Sequence, residues 1–130
     1  MPTTISDYQD QLSPMNGRLV RSRADWNDIV AAVRGRDPFV VALDHDGGAC
    51  LIVGVGGDVS AVQHTDAEGA SMVALASGPS LADDDVEFLC GGTATPFHPR
   101  WLLTPATTSD LVAHFLATGG RAPTVAWELI

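Results

Sequence analysis

The sequence predicts an α+β fold of two layers, a mostly antiparallel sheet of five or six strands with two helices on one face. Three observations predict it. Apolar residues recur at helical spacing in an early and a late segment, while the apolar stretches between them run continuously or alternate. Those central stretches are joined by short turns rich in Gly and Asp, which suit antiparallel neighbours and are too short for parallel crossovers. Finally, 130 residues that are 45% hydrophobic and 18% charged bury one core without needing a disulfide or a metal.

Residues 1–17, with Pro2, Pro14 and Gly17, read as an N-terminal arm, irregular apart from a turn of helix around Asp7 to Leu12, and residues 18–130 read as the domain. Arg18 to Arg21 has the length of a short strand. Ser22 and Asp25 then stand at capping-box spacing, and Trp26, Ile29, Val30 and Val33 form the apolar stripe of a helix that Gly35 ends before Pro38. Phe39 to Leu43 is a strand, turned by Asp44-His45-Asp46-Gly47-Gly48 into a second strand, Ala49 to Val55. After Gly56-Gly57-Asp58 follow candidate strands at Val59 to His64, Ser71 to Ala76 and Val86 to Cys90. Beyond Gly91-Gly92 the chain is rich in Pro, and Trp101 to Leu103 is at best an edge strand. Thr107 and Asp110 repeat the capping spacing for a second helix with Leu111, Phe115 and Leu116 inward and Gly119-Gly120 as its stop. Thr124 to Ile130 closes the sheet with Val125, Trp127 and Leu129 on one face.

Charge divides the chain unevenly. Sixteen Asp and Glu stand against seven basic residues, a net charge of -9, which argues against a protein that grips phosphate backbones. All seven basic residues are arginines, and five of them (Arg18, Arg21, Arg23, Arg34, Arg36) fall within 19 positions. The 63 residues between Arg36 and Arg100 hold no basic side chain and ten acids. Such a segment either solubilises the protein or seeks a cationic partner.

Catalytic patterns are missing. There is no Gly-x-Ser-x-Gly elbow, no P-loop and no dinucleotide fingerprint, and His45, His64, His98 and His114 are dispersed without metal-ligand spacing. Adjacent acids in a turn, as at Asp44 and Asp46 or at Asp83 to Asp85, point apart and do not make a calcium loop. Cys50 and Cys90 lie in apolar runs and read as buried small hydrophobes of a reducing compartment. The polar start with Asp7 and Asp10 lacks the pattern of a signal peptide, and no apolar run reaches 18 residues. The expectation is a cytoplasmic protein that is not an enzyme and holds neither metal nor cofactor.

Several segments carry a family resemblance. These are Gly91-Gly92-Thr93 followed by Pro96, the helix end Phe115-Leu116-Ala117-Thr118-Gly119-Gly120-Arg121-Ala122-Pro123, and the strand Val125-Ala126-Trp127-Glu128. Ala24 to Ala32 and the glycine-ended strand from Cys50 to Asp58 agree with them. Together they resemble the Imm1 family of bacterial immunity proteins over about residues 18–130. One departure is that members with an acid between the glycine pair and the proline are matched here by Ala94 and Thr95. The resemblance implies a cytoplasmic antitoxin that neutralises a polymorphic toxin domain, often one that deaminates nucleic acid.

A toxin that attacks nucleic acid presents basic residues around its pocket, and an acidic protein occupies that surface by imitating phosphate. The expected partner-binding rim is therefore Asp44, Asp46, Asp66, Glu68, Asp83, Asp84, Asp85 and Glu87, with Phe97, Trp101 and Leu102 as apolar anchors. Trp26 and Trp127 fall on the apolar phase of their elements and read as core. The alternatives are a small-ligand-binding or regulatory module with a pocket between helices and sheet, and a small enzyme drawing on His64, His98, Asp58 and Glu87.

Overall fold

The stretch Phe39-Val40-Val41-Ala42-Leu43 is apolar at every position, which a strand tolerates only where both faces are covered. In the computed structural model, which describes residues 3–7 and 13–130, it heads strand β2 (Phe39–His45), and all five side chains are buried. Along one edge β2 pairs antiparallel with β3 (Cys50–Val55), from Phe39 opposite Val55 to Asp44 opposite Cys50. Its other edge is shared. The strand β1 (Thr3–Asp7) runs antiparallel to Val41–His45, while β6 (Val86–Cys90) runs parallel and meets only Phe39, through Leu89. Beyond β3 lie β4 (Val62–Thr65), β5 (Ser71–Ala74) and β8 (Trp127–Leu129); beyond β6 lies β7 (Thr93–Phe97).

The α+β class holds, but the sheet is larger than five or six strands and is mixed. Among the described residues it has eight strands in the order β7-β6-β2-β3-β4-β5-β8, with β1 on β2, and curls into a half-barrel. Two strands escape sequence reading. The first, β1, is a polar segment whose inward residues Thr3, Ile5 and Asp7 are buried only because β2 offers them a partner. The other, β7, contains Pro96, which an edge strand accommodates because one of its sides has no ladder to complete. The strand expected at Arg18 to Arg21 shrinks to a bridge between Leu19 and Thr4, and the segment Trp101 to Leu103 splits into a 3-10 turn (Pro99–Trp101) and a bridge from Leu103 to Ser60. Of the helical turn expected around Asp7 to Leu12, Asp7 ends β1 and residues 8–12 lie outside the described residues.

Helix α1 (Arg23–Val33) starts as its capping pattern requires, with the Ser22 hydroxyl accepting the N–H of Asp25 at 3.2 Å and Trp26, Ile29 and Val33 buried. Helix α2 (Pro105–Thr118) begins earlier than expected. Its cap is Thr104, whose Oγ1 accepts the N–H of Thr107 at 3.2 Å, and Pro105 occupies the first helical position, where no N–H is missed. Gly119 ends it at φ +72°. Both helices pack on the face that carries Val41, Leu43, Leu51, Val53, Val55, Val62 and Ala74, and this is the main core.

A smaller cluster, Ala61, Phe88, Phe97 and Leu102, sits on the opposite face. Gly54 explains how it forms. Lying between Val53 and Val55, it faces away from the helices, and a Cβ there would stand 2.5 Å from Cε2 of Phe88. The bare backbone lets the β6–β7 hairpin fold back onto the sheet.

Candidate functional site

The end of β2 carries Asp44 and the β2–β3 turn Asp46, and the β4–β5 turn carries Asp66 and Glu68. These turns touch, since a Cβ on Gly48 would come 3.3 Å from that of Ala67, so the four acids form one acidic end of the sheet. Asp66 also shapes its own turn, its Oδ1 accepting the N–H groups of Glu68 at 3.0 Å and Ala70 at 2.9 Å. Asp83, Asp84, Asp85 and Glu87 are elsewhere. They precede or enter β6, which meets β2 only at Phe39, and from Phe39 to His45 an extended strand covers about 20 Å. The fold thus brings the first four acids together and sets the second four at the opposite end.

The anchors fare differently from one another. Phe97 (4% exposed) and Leu102 (0%) belong to the second core cluster and have no free surface to offer a partner. That is a correction with a plain cause: the curl of the sheet closes over them. Trp101 is half-buried against Phe97 and His98, with its indole N–H buried and unpartnered. Leu81, 43% exposed in the loop before Asp83, is an apolar residue beside the second acidic group that sequence reasoning passed over.

Strand register defines a surface that sequence reasoning also missed. Opposite the helices, one row of the sheet reads Thr4, Asp44, Cys50, Thr65, Ser71 and the next Ser6, Ala42, Ile52, Gln63, Val73, Glu128. Among the described residues both α-helices lie on the other side. Only Asp44 and Glu128 in these rows are charged.

Arginines concentrate on the helical side. Arg18, Arg21, Arg23, Arg34 and Arg36 flank α1, and Arg121 follows α2. Arg23 pairs with Asp110, while Arg36 lies 4.0 Å over the Phe39 ring and 3.3 Å from the buried carboxylate of Asp7. The remaining one, Arg100, donates to Oε1 of Glu128 at 2.7 Å.

The reactive residue types are held in structural roles. Burial, and after it the neighbouring Asp44 carboxylate, pushes the Cys50 thiol up to about 12, so it stays protonated at neutral pH and is a poor nucleophile. His64 bonds the carbonyl of Gly119 through Nε2 at 2.9 Å, and His45 accepts the N–H of Gly47 at 3.1 Å. Their rings meet Phe115 edge-on. His98 caps the 3-10 turn, accepting from Arg100, and so stands apart from His64. Among the described residues no group of His, Cys, Asp and Glu is arranged to hold a metal, and no helix is long and apolar enough to cross a membrane. A cavity of about 70 Å³ between α1, Gly56-Gly57 and Thr108 has room for water molecules, not a metabolite. A shallower one of about 320 Å³ lies between Ser13–Arg18 and α1.

A curled mixed sheet backed by two helices, with Asp44, Asp46, Asp66 and Glu68 gathered at one end and most arginines in the segments flanking the helices, is distinguished by its surfaces. The family model described as immunity protein Imm1 matches residues 15–129, and the chain belongs to that family. Immunity proteins bind a cognate toxin. No curated protein matches this chain.

Proposed function

We propose that this immunity protein neutralises a cognate toxin domain that acts on nucleic acid, a deaminase or nuclease, by covering its basic substrate surface. The observation that carries the proposal is the 63-residue stretch between Arg36 and Arg100 with ten acids and no base. A toxin that must hold phosphates exposes cations, and a surface of opposite sign steers encounter toward about 10⁸ M⁻¹s⁻¹ at low salt, against about 10⁵–10⁶ for a neutral pair. In this reading the chain works in the cytoplasm, has no catalytic residue and no cofactor, and binds neither nucleic acid nor membrane. Residues 18–130 form the inhibitory domain, and residues 1–17 an arm that adds β1 to its sheet.

The test is stopped-flow association with the cognate toxin domain, from low to high salt. Replacing Asp83, Asp84 and Asp85 with Asn should slow association and flatten its salt dependence, with dissociation little changed. Trp101→Ala should mainly speed dissociation. Equal, salt-independent association rates in the wild type and the triple variant would reduce the acidic segment to a solubilising surface.

A further inference from the structure

The two helices do not close completely over the sheet. Between them, where the β3–β4 turn runs past the start of α2, a hollow of about 70 Å³ adjoins a second of about 90 Å³, the two sharing Val30, Gly56, Gly57 and Pro105. We infer that this cleft receives one carboxamide side chain, a Gln or Asn, from the toxin. The inference rests on the reading of the chain as a toxin-binding protein and adds a contact site and the chemistry that fits it.

Thr108 is the residue that points to a ligand. It is 1% exposed, it lines the inner hollow, and its hydroxyl has no hydrogen-bond partner among the described residues. Buried hydroxyls without a partner are rare, and a helical Thr can return its Oγ1 to the carbonyl one turn back, which this one does not do. Ser60, 6% exposed, adds a second hydroxyl to the same lining, and Asn27 adds a carboxamide. Ser60 is fixed by two backbone hydrogen bonds with Leu103, at 2.8 and 2.7 Å, and Asn27 accepts from the Ser109 hydroxyl at 3.3 Å. The polar groups are therefore in place before anything binds, which lowers the entropy cost of binding.

Size and charge choose the occupant. On the scale where a cavity of about 150 Å³ holds benzene, the two hollows suit the end and stem of one side chain and fall short of the roughly 300 Å³ of a metabolite site. No charged residue among those described lines the inner hollow, so a carboxylate, ammonium or guanidinium there would be buried without a counter-charge. At the mouth Arg34 and Asp58 are exposed and of opposite sign, so neither charge is favoured. An aliphatic side chain would suit Trp26, Val30, Val55 and Pro105 but leave the Thr108 hydroxyl unpaired. A carboxamide both donates and accepts, which a hydroxyl of either orientation can meet, and its methylene stem lies against the apolar walls.

The experiment has two arms on the full chain. In the first, propionamide, propionate and propylammonium are titrated in and backbone amide resonances are followed by NMR. Propionamide should give saturable shifts at Gly57 and Thr108, the two ions should not, and Thr108→Val should abolish the response. In the second, affinity for the cognate toxin domain, inactivated by substitution, is measured by calorimetry. Thr108→Val removes the hydroxyl at nearly constant shape and should lower affinity about tenfold or more, Val30→Phe should do the same by filling the cleft, and Thr108→Ser should stay within about threefold of wild type. Melting separates this from a structural role, since losing an unpartnered hydroxyl should leave the melting temperature of Thr108→Val unchanged or raised. If Val30→Phe does not fold, Thr108→Val carries the test. Wild-type affinity in a folded Thr108→Val would overturn the docking site and leave the toxin-binding reading standing. Equal responses to all three compounds, or to none, would overturn the carboxamide. Failure of the wild-type chain to bind that toxin would overturn the toxin-binding reading and the docking site together.

Discussion

Gly54 is the position at which the curl of the sheet is most exposed to test. Adding a methyl group there puts Cβ 2.5, 2.7 and 3.0 Å from three carbons of the Phe88 ring, where ordinary contact begins at 3.4 Å, so the ring must retreat by about 1 Å. It has nowhere to go. Phe88 is 0% exposed and is packed edge-on against Phe97 with ring centroids 5.0 Å apart. Overpacking of this kind costs about 1–3 kcal/mol. In the other direction, Gly→Ala in a strand gains about 0.5–1 kcal/mol by restricting the unfolded chain. With a contact this close the expected net loss for Gly54→Ala is about 2 kcal/mol.

Phe88→Ala alone should cost about 3–5 kcal/mol through the cavity it leaves. In the double variant the new methyl group points into that cavity, so the combined loss should fall short of the sum by about 2 kcal/mol. Urea unfolding of the four proteins, followed by Trp fluorescence, measures all the terms. A neutral or stabilised Gly54→Ala, or a double variant additive within about 0.5 kcal/mol, would refute the claim that this glycine exists to seat Phe88.

The remaining expectations concern single residues. Thr104→Ala should destabilise by about 1 kcal/mol and Thr107→Ala by less, since Thr104 is the α2 cap; thermal unfolding of the pair distinguishes them. Gly119→Ala should cost about 1–2 kcal/mol in the same assay, because the residue sits at φ +72° and its new Cβ would come 3.0 Å from Nδ1 of His45. With its thiol pushed up to about 12 from 9.0, Cys50 has a thiolate fraction of about 10⁻⁴ at pH 8, and alkylation by iodoacetamide should run about a thousandfold slower in the folded protein than in urea. The same shift contributes stability that is complete below pH 9 and is lost as pH rises toward 12, so denaturation midpoints should decline on the alkaline side and a Cys50→Ala variant should decline less.

What was legible in the sequence was whatever local chemistry determines. Ser22 and Asp25 announced α1, the run from Val86 to Cys90 matched β6 residue for residue, and Gly119 ended α2 as its position suggested. Pairing over distance was not legible. Thr3 to Asp7 has no apolar pattern of its own and becomes a strand because β2 has an edge to fill. Thr107 looked like a cap because Asp110 follows at the right interval, but Pro105 fixes the start one turn earlier, and Asp110 instead pairs with Arg23 across the helices. The candidate site suffered most from this limit. Ten acids in a row of turns gave the sign of the surface, yet only register shows that two groups of them stand at opposite ends, and that Asp44, Cys50 and Thr65 share a face. Phe97 and Leu102 were credible anchors until Gly54 let the β6–β7 hairpin fold back, closing Phe97 and Leu102 into one cluster with Phe88 and Ala61.

The shared edge of β2 has a bearing on how the chain is made. Val41 to Leu43 is covered on that side by a segment synthesised before it, and Phe39 by one synthesised well after it. Until β6 arrives, β1 is all that stands between the most apolar strand of the protein and another copy of itself emerging nearby, since an unpaired hydrophobic edge is a template for association between chains. A segment of five residues with little hydrophobicity of its own therefore closes the edge beside Val41 to Leu43. Disrupting it would be felt less in the melting temperature of protein that has already folded than in how much of the newly made chain reaches the soluble state at all.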